Sequence, residues 1–277
     1  MKIENLKLKI RPNKLLGQNF LVNPHIQEEI VAAGEIGPED IVIEVGPGTG
    51  LLTKPLLSTG AKILAVEKDR QLAELLGESL IDSPNLEIIP EDILQFKPQN
   101  YKLEEGQYKV LGNIPYYLTS HLIRTILEEW PRPAAIVLMI QKEVAQRIVA
   151  LPPKLNLLAL SIQFYGQAKI IRHVAKGNFR PAPKVDSSII KIIPEELSAE
   201  RSRLVTPFFR IIKAAFSGKR KQLINSLSSG LSIPKTELEA AFQKVNIDSK
   251  RRPESLNIQE WLRLTSLLSL PSLVDAD

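Results

Sequence analysis

The sequence predicts an α/β fold: an open, mostly parallel sheet with helices on both faces, followed by a small all-helical domain. Two observations carry this. Over residues 41–193, short segments rich in Ile and Val alternate with segments of helical length. Beyond residue 200, apolar residues recur at helical spacing and no stretch alternates as a strand does.

The expected strands are 41–45 (IVIEV), 62–67, 86–90, 108–112 and 134–140, with helices between them at 51–58, 69–80, 119–130 and 141–150. Strands at 168–174 and 185–193 are separated only by a loop, which predicts a hairpin at the sheet edge. Asn23 followed by Pro24 reads as an N-cap and first helical position, opening a helix over 24–33. The polar segment 194–200 reads as a linker, so a domain of residues 1–194 precedes one of 195–277. Helices in the second are expected from Leu204, Phe208, Ile211, Ile212, Ala215 and Phe216, then at 219–229, 234–246 and 256–269. Trp130 and Trp261 read as core residues.

Composition narrows the chemistry. There is no cysteine, which excludes disulfides and thiolate metal sites. The three histidines, His25, His121 and His173, are far apart and lack acidic partners in any motif, so no metal is expected. The longest apolar run, Ala134 to Ile140, is too short to span a bilayer, and the N-terminus lacks a signal-peptide core. A soluble, cytoplasmic, monomeric protein is expected. The net charge of +5 is unevenly spread: +4 over residues 1–14, −3 over 15–195 and +4 over 196–277. Basic ends around a near-neutral body suit a polyanionic partner, although the same charges also serve solubility.

Residues 44–50, E-V-G-P-G-T-G, leave a strand and enter a helix. Glycines there let a ligand approach the backbone closely. The dinucleotide fingerprint is not met: Gly46, Gly48 and Gly50 are spaced by two, and Leu51 stands where a third dinucleotide glycine belongs. Pro47 removes an N–H that a pyrophosphate would use. A loop of this kind can also be a tight turn and nothing more. Glu67, at the end of the second strand, can accept from both hydroxyls of a ribose. Asp92, after the third, can accept from an adenine amino group. At the carboxyl ends of successive strands, these features together point to S-adenosylmethionine.

The fourth strand runs into Asn113-Ile114-Pro115-Tyr116-Tyr117. An exocyclic base amine is a poor nucleophile because its lone pair is delocalised into the ring. Two acceptors that take its hydrogens, the Asn113 side-chain oxygen and the Ile114 carbonyl, would favour a tetrahedral nitrogen aimed at a methyl carbon. Tyr116 could stack on a flipped-out base. Taken alone, such a segment is more often a buried turn with a core tyrosine.

These segments resemble the ribosomal RNA adenine N6-dimethyltransferases, most closely the small-subunit (16S) branch linked to kasugamycin sensitivity. The resemblance rests on seven segments in order: G-Q-N-F-L (17–21), E-V-G-P-G-T-G-L-L-T (44–53), Glu67, Glu91-Asp92, N-I-P-Y-Y (113–117), N-F-R-P-A-P-K-V-D-S (178–187) and F-S-G-K-R-K-Q-L (216–223). It implies a Rossmann-like class I S-adenosylmethionine-dependent methyltransferase of seven mostly parallel strands. It further implies that Asn19, Leu21, Gly46, Gly48, Glu67, Asp92 and Asn113 line the cofactor site. Asn113, Ile114, Pro115 and Tyr116 would form the catalytic turn, with Phe179 as a second aromatic wall. The implied reaction dimethylates N6 of two adjacent adenines in the terminal hairpin loop of small-subunit rRNA, without metal, leaving S-adenosylhomocysteine. Within the basic helical domain, Lys219, Arg220, Lys221, Lys250, Arg251 and Arg252 become candidate phosphate contacts on the small ribosomal subunit. Other class members of the family act on large-subunit (23S) RNA. A role as an RNA-binding assembly factor and a nicotinamide dehydrogenase are the remaining alternatives, the latter opposed by the glycine spacing. The chain departs from the commoner N-L-P-Y-N at Ile114 and Tyr117, and Gly218 interrupts the basic segment.

Overall fold

The computed structural model describes residues 19–218 and 221–269. The basic stretch 1–14, Gly17, Gln18, Lys219 and Arg220 lie outside the described residues. The chain divides into two compact units, one of residues 1–146 with 167–195 and one of 147–166 with 196–277.

The first unit opens with the two-residue strand β1 (Phe20–Leu21) and helix α1 (Pro24–Gly34). The Asn23 side chain caps α1 by accepting from His25 N–H, and Pro24 occupies its first turn. Then follow β2 (Ile41–Val45), α2 (Thr53–Leu57), β3 (Lys62–Val66), α3 (Arg70–Ser79), β4 (Leu86–Ile89), β5 (Tyr108–Asn113), α4 (Thr119–Glu128), β6 (Ala135–Gln141) and α5 (Lys142–Ile148). The unit closes with β7 (Gly166–Val174), β8 (Phe179–Arg180) and β9 (Ser187–Pro194). The seven-stranded sheet has the order β4-β3-β2-β5-β6-β9-β7. β4 to β6 run parallel, with Val45 opposite Val66 on one side and Gly112 on the other, and β9 is antiparallel to β6. The mixed sheet, and the adjacency of β7 and β9 at its edge, agree with the sequence reading.

Chain order reverses between β2 and β5: β3 and β4 lie to one side of β2, and β5 and β6 to the other. Such a switch point leaves a crevice beyond the carboxyl ends of the strands. The strands flanking it are apolar on both faces, as helices on both sides require. Val42, Ile63, Ala65, Leu111, Val137 and Met139 pack with Ile26 and Ile30 of α1 and Leu52 and Leu56. Gly112 is required by a close approach: a Cβ there would meet the Val45 carbonyl oxygen at 2.7 Å. The last turn before the site can therefore lie tight against β2.

The second unit holds α6 (Leu157–Tyr165), α7 (Ala199–Arg203), α8 (Val205–Ala215), α9 (Leu223–Leu231), α10 (Lys235–Lys244) and α11 (Ile258–Leu268). Phe164 and Tyr165 of α6 pack with Phe208 and Phe209 of α8, and the Phe164–Phe208 centroids are 4.5 Å apart. Trp261 is fully buried among these helices. Asn257 and Glu260 form a capping box at the start of α11. Two helices were not legible. α6 reads LLALSIQFY, apolar almost throughout, so it shows no helical period. α7 begins within the expected linker, where Ser198 caps it by accepting from Arg201 N–H, and runs three residues past it.

Candidate active site

One cavity lies over the switch point. Asn19, Leu21, Gly46, Gly48, Glu67, Asp92, Asn113, Ile114, Pro115, Tyr116 and Phe179, the expected cofactor and catalytic residues, all line it. Tyr117, noted from sequence as a departure from the family pattern, lines it as well, as do Gln27, Glu44 and Lys68, which were not singled out as site residues.

The glycine loop forms the floor. Gly46 and Gly48 have φ of +64° and +55°, values that L side chains rarely adopt. A Cβ on Gly48 would also press to 3.1 Å from the Phe20 ring, so Phe20 lies directly against the loop. Gly48 N–H donates to Glu67 Oε2 at 3.0 Å, and Asp69 N–H donates to Oε1 at 2.9 Å. Each carboxylate oxygen thus holds one backbone donor and keeps a lone pair for another. Burial raises the Glu67 pKa, and the Asp69 and Gly48 donors only partly oppose it.

Asp92 stands at the adjoining wall. Lys68 Nζ donates to its Oδ2 at 2.7 Å, and Leu94 N–H to its Oδ1 at 3.1 Å. Burial alone would raise its pKa, but the Lys68 and Leu94 hydrogen bonds and the Lys68 charge together hold it low. Asp92 is therefore a fixed anionic acceptor beside the mouth.

The Asn113–Tyr116 turn, the expected catalytic segment, follows β5. Asn113 Nδ2 donates to the Asn19 carbonyl oxygen at 3.2 Å. A backbone carbonyl can only accept, so this contact settles which end of the amide is which. The nitrogen is held by Asn19, and Oδ1 is left as the acceptor. The Tyr116 hydroxyl bonds to Ser187 Oγ at 2.8 Å, and Ser187 is fully buried. Burial keeps the phenol protonated, with the Ser187 bond opposing and the Asp186 charge reinforcing that shift. The Tyr116 ring is thus a neutral face pinned at its far end.

The short β1–β8 pair brings the remaining residues in. Phe20 is opposite Arg180 and Leu21 opposite Phe179, antiparallel. Val22 N–H donates to the Asn178 carbonyl, and Asn23 Nδ2 to Asn178 Oδ1 at 2.8 Å. Gln27 of α1 donates to the Leu21 carbonyl at 3.1 Å. This strap holds Asn19 against Asn113 and buries Phe179 in the cavity wall.

Among the candidate phosphate contacts, Lys250 is exposed and Arg252 projects from the following turn. The Arg251 guanidinium is engaged differently: Nη1 donates to Glu260 Oε1 at 2.6 Å, Nε to Ser255 Oγ at 3.1 Å, and Nη2 to the Ser255 carbonyl. Arg251 ties its turn to α11. Among the described residues, no cluster of His, Cys, Asp and Glu could hold a metal ion, and no helix is long and apolar enough to cross a membrane.

A glycine floor with positive φ at Gly46 and Gly48, a carboxylate with one open lone pair on each oxygen, and a switch-point crevice suit an adenosyl ligand. Glu44, buried in the lining with neither carboxylate oxygen hydrogen-bonded, suits a ligand that carries positive charge. Fold and site together define a class I S-adenosylmethionine-dependent methyltransferase. The chain belongs to the ribosomal RNA adenine dimethylase family, which it matches over residues 10–269. It is 40% identical over 262 residues to ribosomal RNA small subunit methyltransferase A of Dehalococcoides mccartyi, covering 95% of this chain and 89% of the relative. It is also 40% identical over 266 residues to the enzyme of that name from Clostridium botulinum, covering 95% and 96%. Among solved structures, a dimethyladenosine transferase from Plasmodium falciparum superposes with a TM-score of 0.74 at 26% identity, over 88% of this chain and 95% of that one. The 23S rRNA methyltransferase ErmE superposes with a TM-score of 0.73 at 26% identity, over 91% and 100%.

Proposed function

We propose that this chain uses S-adenosylmethionine to dimethylate N6 of two adjacent adenines in the terminal hairpin loop of small-subunit (16S) rRNA, during small-subunit biogenesis in the cytoplasm and as a monomer. The observation that carries the chemistry is the Asn113–Asn19 hydrogen bond, which presents Asn113 Oδ1 as an acceptor on the catalytic turn. The choice of RNA rests on the relatives named for the small subunit at 40% identity, against 26% for the large-subunit enzyme.

In this reading Glu67 accepts from the two ribose hydroxyls of the cofactor through its open lone pairs, and Asp92 accepts from the adenine amino group beside the Lys68 bridge. Bound there, the cofactor supplies an electrophilic methyl carbon on a cationic sulfur. Asn113 Oδ1 and the Ile114 carbonyl take the two hydrogens of the target N6. They favour a pyramidal nitrogen whose lone pair points at that carbon. Tyr116 and Phe179 enclose the flipped base. With the cofactor in place, transfer would form the N6–C bond as the S–C bond broke, its electrons returning to sulfur, and N6 held by Asn113 and Ile114 would lose a proton to water. No covalent enzyme intermediate and no metal are needed.

The test offers purified protein labelled S-adenosylmethionine with under-methylated small ribosomal subunits and, in parallel, naked large-subunit RNA. The expected result is label on two neighbouring small-subunit adenines, up to two methyls each. Label on large-subunit RNA alone would overturn the choice of substrate. In the same reading the helical unit contributes cations to rRNA phosphates. Replacing Lys250 and Arg252 by alanine is expected to weaken RNA binding and reduce the salt slope of log K by about 2. Cofactor affinity should stay unchanged. Arg251 is left in place because its removal would free Glu260 and loosen α11.

A further inference from the structure

Tyr117 is the residue of the catalytic turn that the proposed chemistry does not use. It is 64% exposed, among the few large side chains with an apolar face left to solvent, and it lines the mouth of the cavity. Its hydroxyl has no hydrogen bond to another described residue, whereas that of Tyr116 is fixed by Ser187. The two rings sit on consecutive positions of a 3₁₀ turn, Tyr116–Leu118, so their directions differ by about 120°. One ring is directed to the Ser187 wall, and the other is left at the opening. Lys68, also on the cavity lining, keeps its ammonium at the surface while bridged to Asp92 at 2.7 Å. An open aromatic face and a cation at the mouth of a nucleoside cavity are the two elements that hold single-stranded nucleotides.

Resting on the function proposed above, we propose that Tyr117 is a stacking platform for the RNA base next to the one flipped into the cavity. A base drawn out of its stack leaves its neighbour unstacked on one face, and a ring at the mouth replaces the lost partner. Every base has a π-face, so this contact selects a single-stranded neighbour more than its identity.

The first experiment measures KM for under-methylated small subunits. Tyr117→Ala is expected to raise KM about 5- to 160-fold, the range of one base–aromatic stack. Tyr117→Phe should stay near wild type, and neither should change cofactor affinity. An unchanged KM in Tyr117→Ala, or a Phe variant as impaired as Ala, would overturn the platform. The second experiment does not depend on the methylation substrate. Trp130 and Trp261 are buried, so in Tyr117→Trp the new indole dominates the accessible fluorescence. Oligoadenylate, added with S-adenosylhomocysteine, should quench it and shield it from acrylamide. Quenching without methylation of subunits would keep the platform and sink the proposed substrate. Methylation with neither quenching nor a KM change would keep the substrate and sink the platform.

Discussion

Asn113→Ala is expected to slow methyl transfer by about 10²–10³-fold, the cost of removing one polar contact made in a transition state. Cofactor affinity should change only a few-fold, because Glu67, Asp92 and the glycine loop remain. The orientation of the amide decides the effect. Asn113 Nδ2 is committed to the Asn19 carbonyl, so the side chain presents Oδ1 and no donor to the target amine. Asn113→Asp separates the two halves of this role. The carboxylate keeps an acceptor toward the base but cannot donate to Asn19, and it faces that carbonyl with like partial charge. Its expected activity is well below wild type, with looser packing of the β1–β8 strap visible as faster amide exchange at Val22. Single-turnover rates with saturating cofactor provide the measurement. A near-normal rate in Asn113→Ala would remove the residue from the chemistry.

The parts of this site that were legible in the sequence are those with a local signature. IVIEV and its neighbours announce parallel strands by their Ile and Val content, and the glycines at 46, 48 and 50 announce a close turn at a strand end. Asn23-Pro24 announces the start of α1, where Asn23 is the observed N-cap and Pro24 the first helical residue. What could not be read arises from pairing at long sequence separation. β1 and β8 are two residues each and lie about 160 positions apart in the chain, so neither shows a period. That pairing nonetheless sets Asn19 on Asn113 and Phe179 in the wall. Lys68 on Asp92 and Arg251 on Glu260 are likewise contacts that charge runs alone do not reveal. Gly112 did offer a signal, since a glycine within an apolar strand marks a close backbone approach.

Glu44 is the buried acid whose titration should be visible in the stability of the whole first unit. It is 1% exposed, and neither of its oxygens nor Thr53 Oγ1 has a hydrogen-bond partner. Burial pushes its pKa from 4.5 to about 8; the nearby Thr53 hydroxyl opposes weakly, short of a well-shaped bond, and the Glu67 charge reinforces the rise. Below pH 4.5 the carboxyl is protonated whether the chain is folded or not, and it costs nothing. Between pH 4.5 and about 8 the unfolded chain has released a proton that the folded chain retains, so stability falls as pH rises. Above about 8 both states are ionised and the penalty is constant. At pH 7 it is on the order of 3 kcal/mol, from about 1.4 kcal/mol per pH unit. Glu44→Gln keeps the shape and cannot ionise, and Thr53 Oγ1 offers its amide an acceptor. The ligand-free variant is expected to unfold several degrees above wild type at pH 7–8 and to match it near pH 4.5. A cationic ligand reverses the preference. It is stabilised by the ionised carboxylate, so wild-type affinity for S-adenosylmethionine should rise toward pH 8 and that of Glu44→Gln should not. S-adenosylhomocysteine, which lacks the sulfonium charge, should show a shallower rise. Parallel pH profiles of unfolding temperature for the two proteins would show that Glu44 titrates as an ordinary glutamate, and the orphaned carboxylate would then need a hydrogen-bond partner supplied by water.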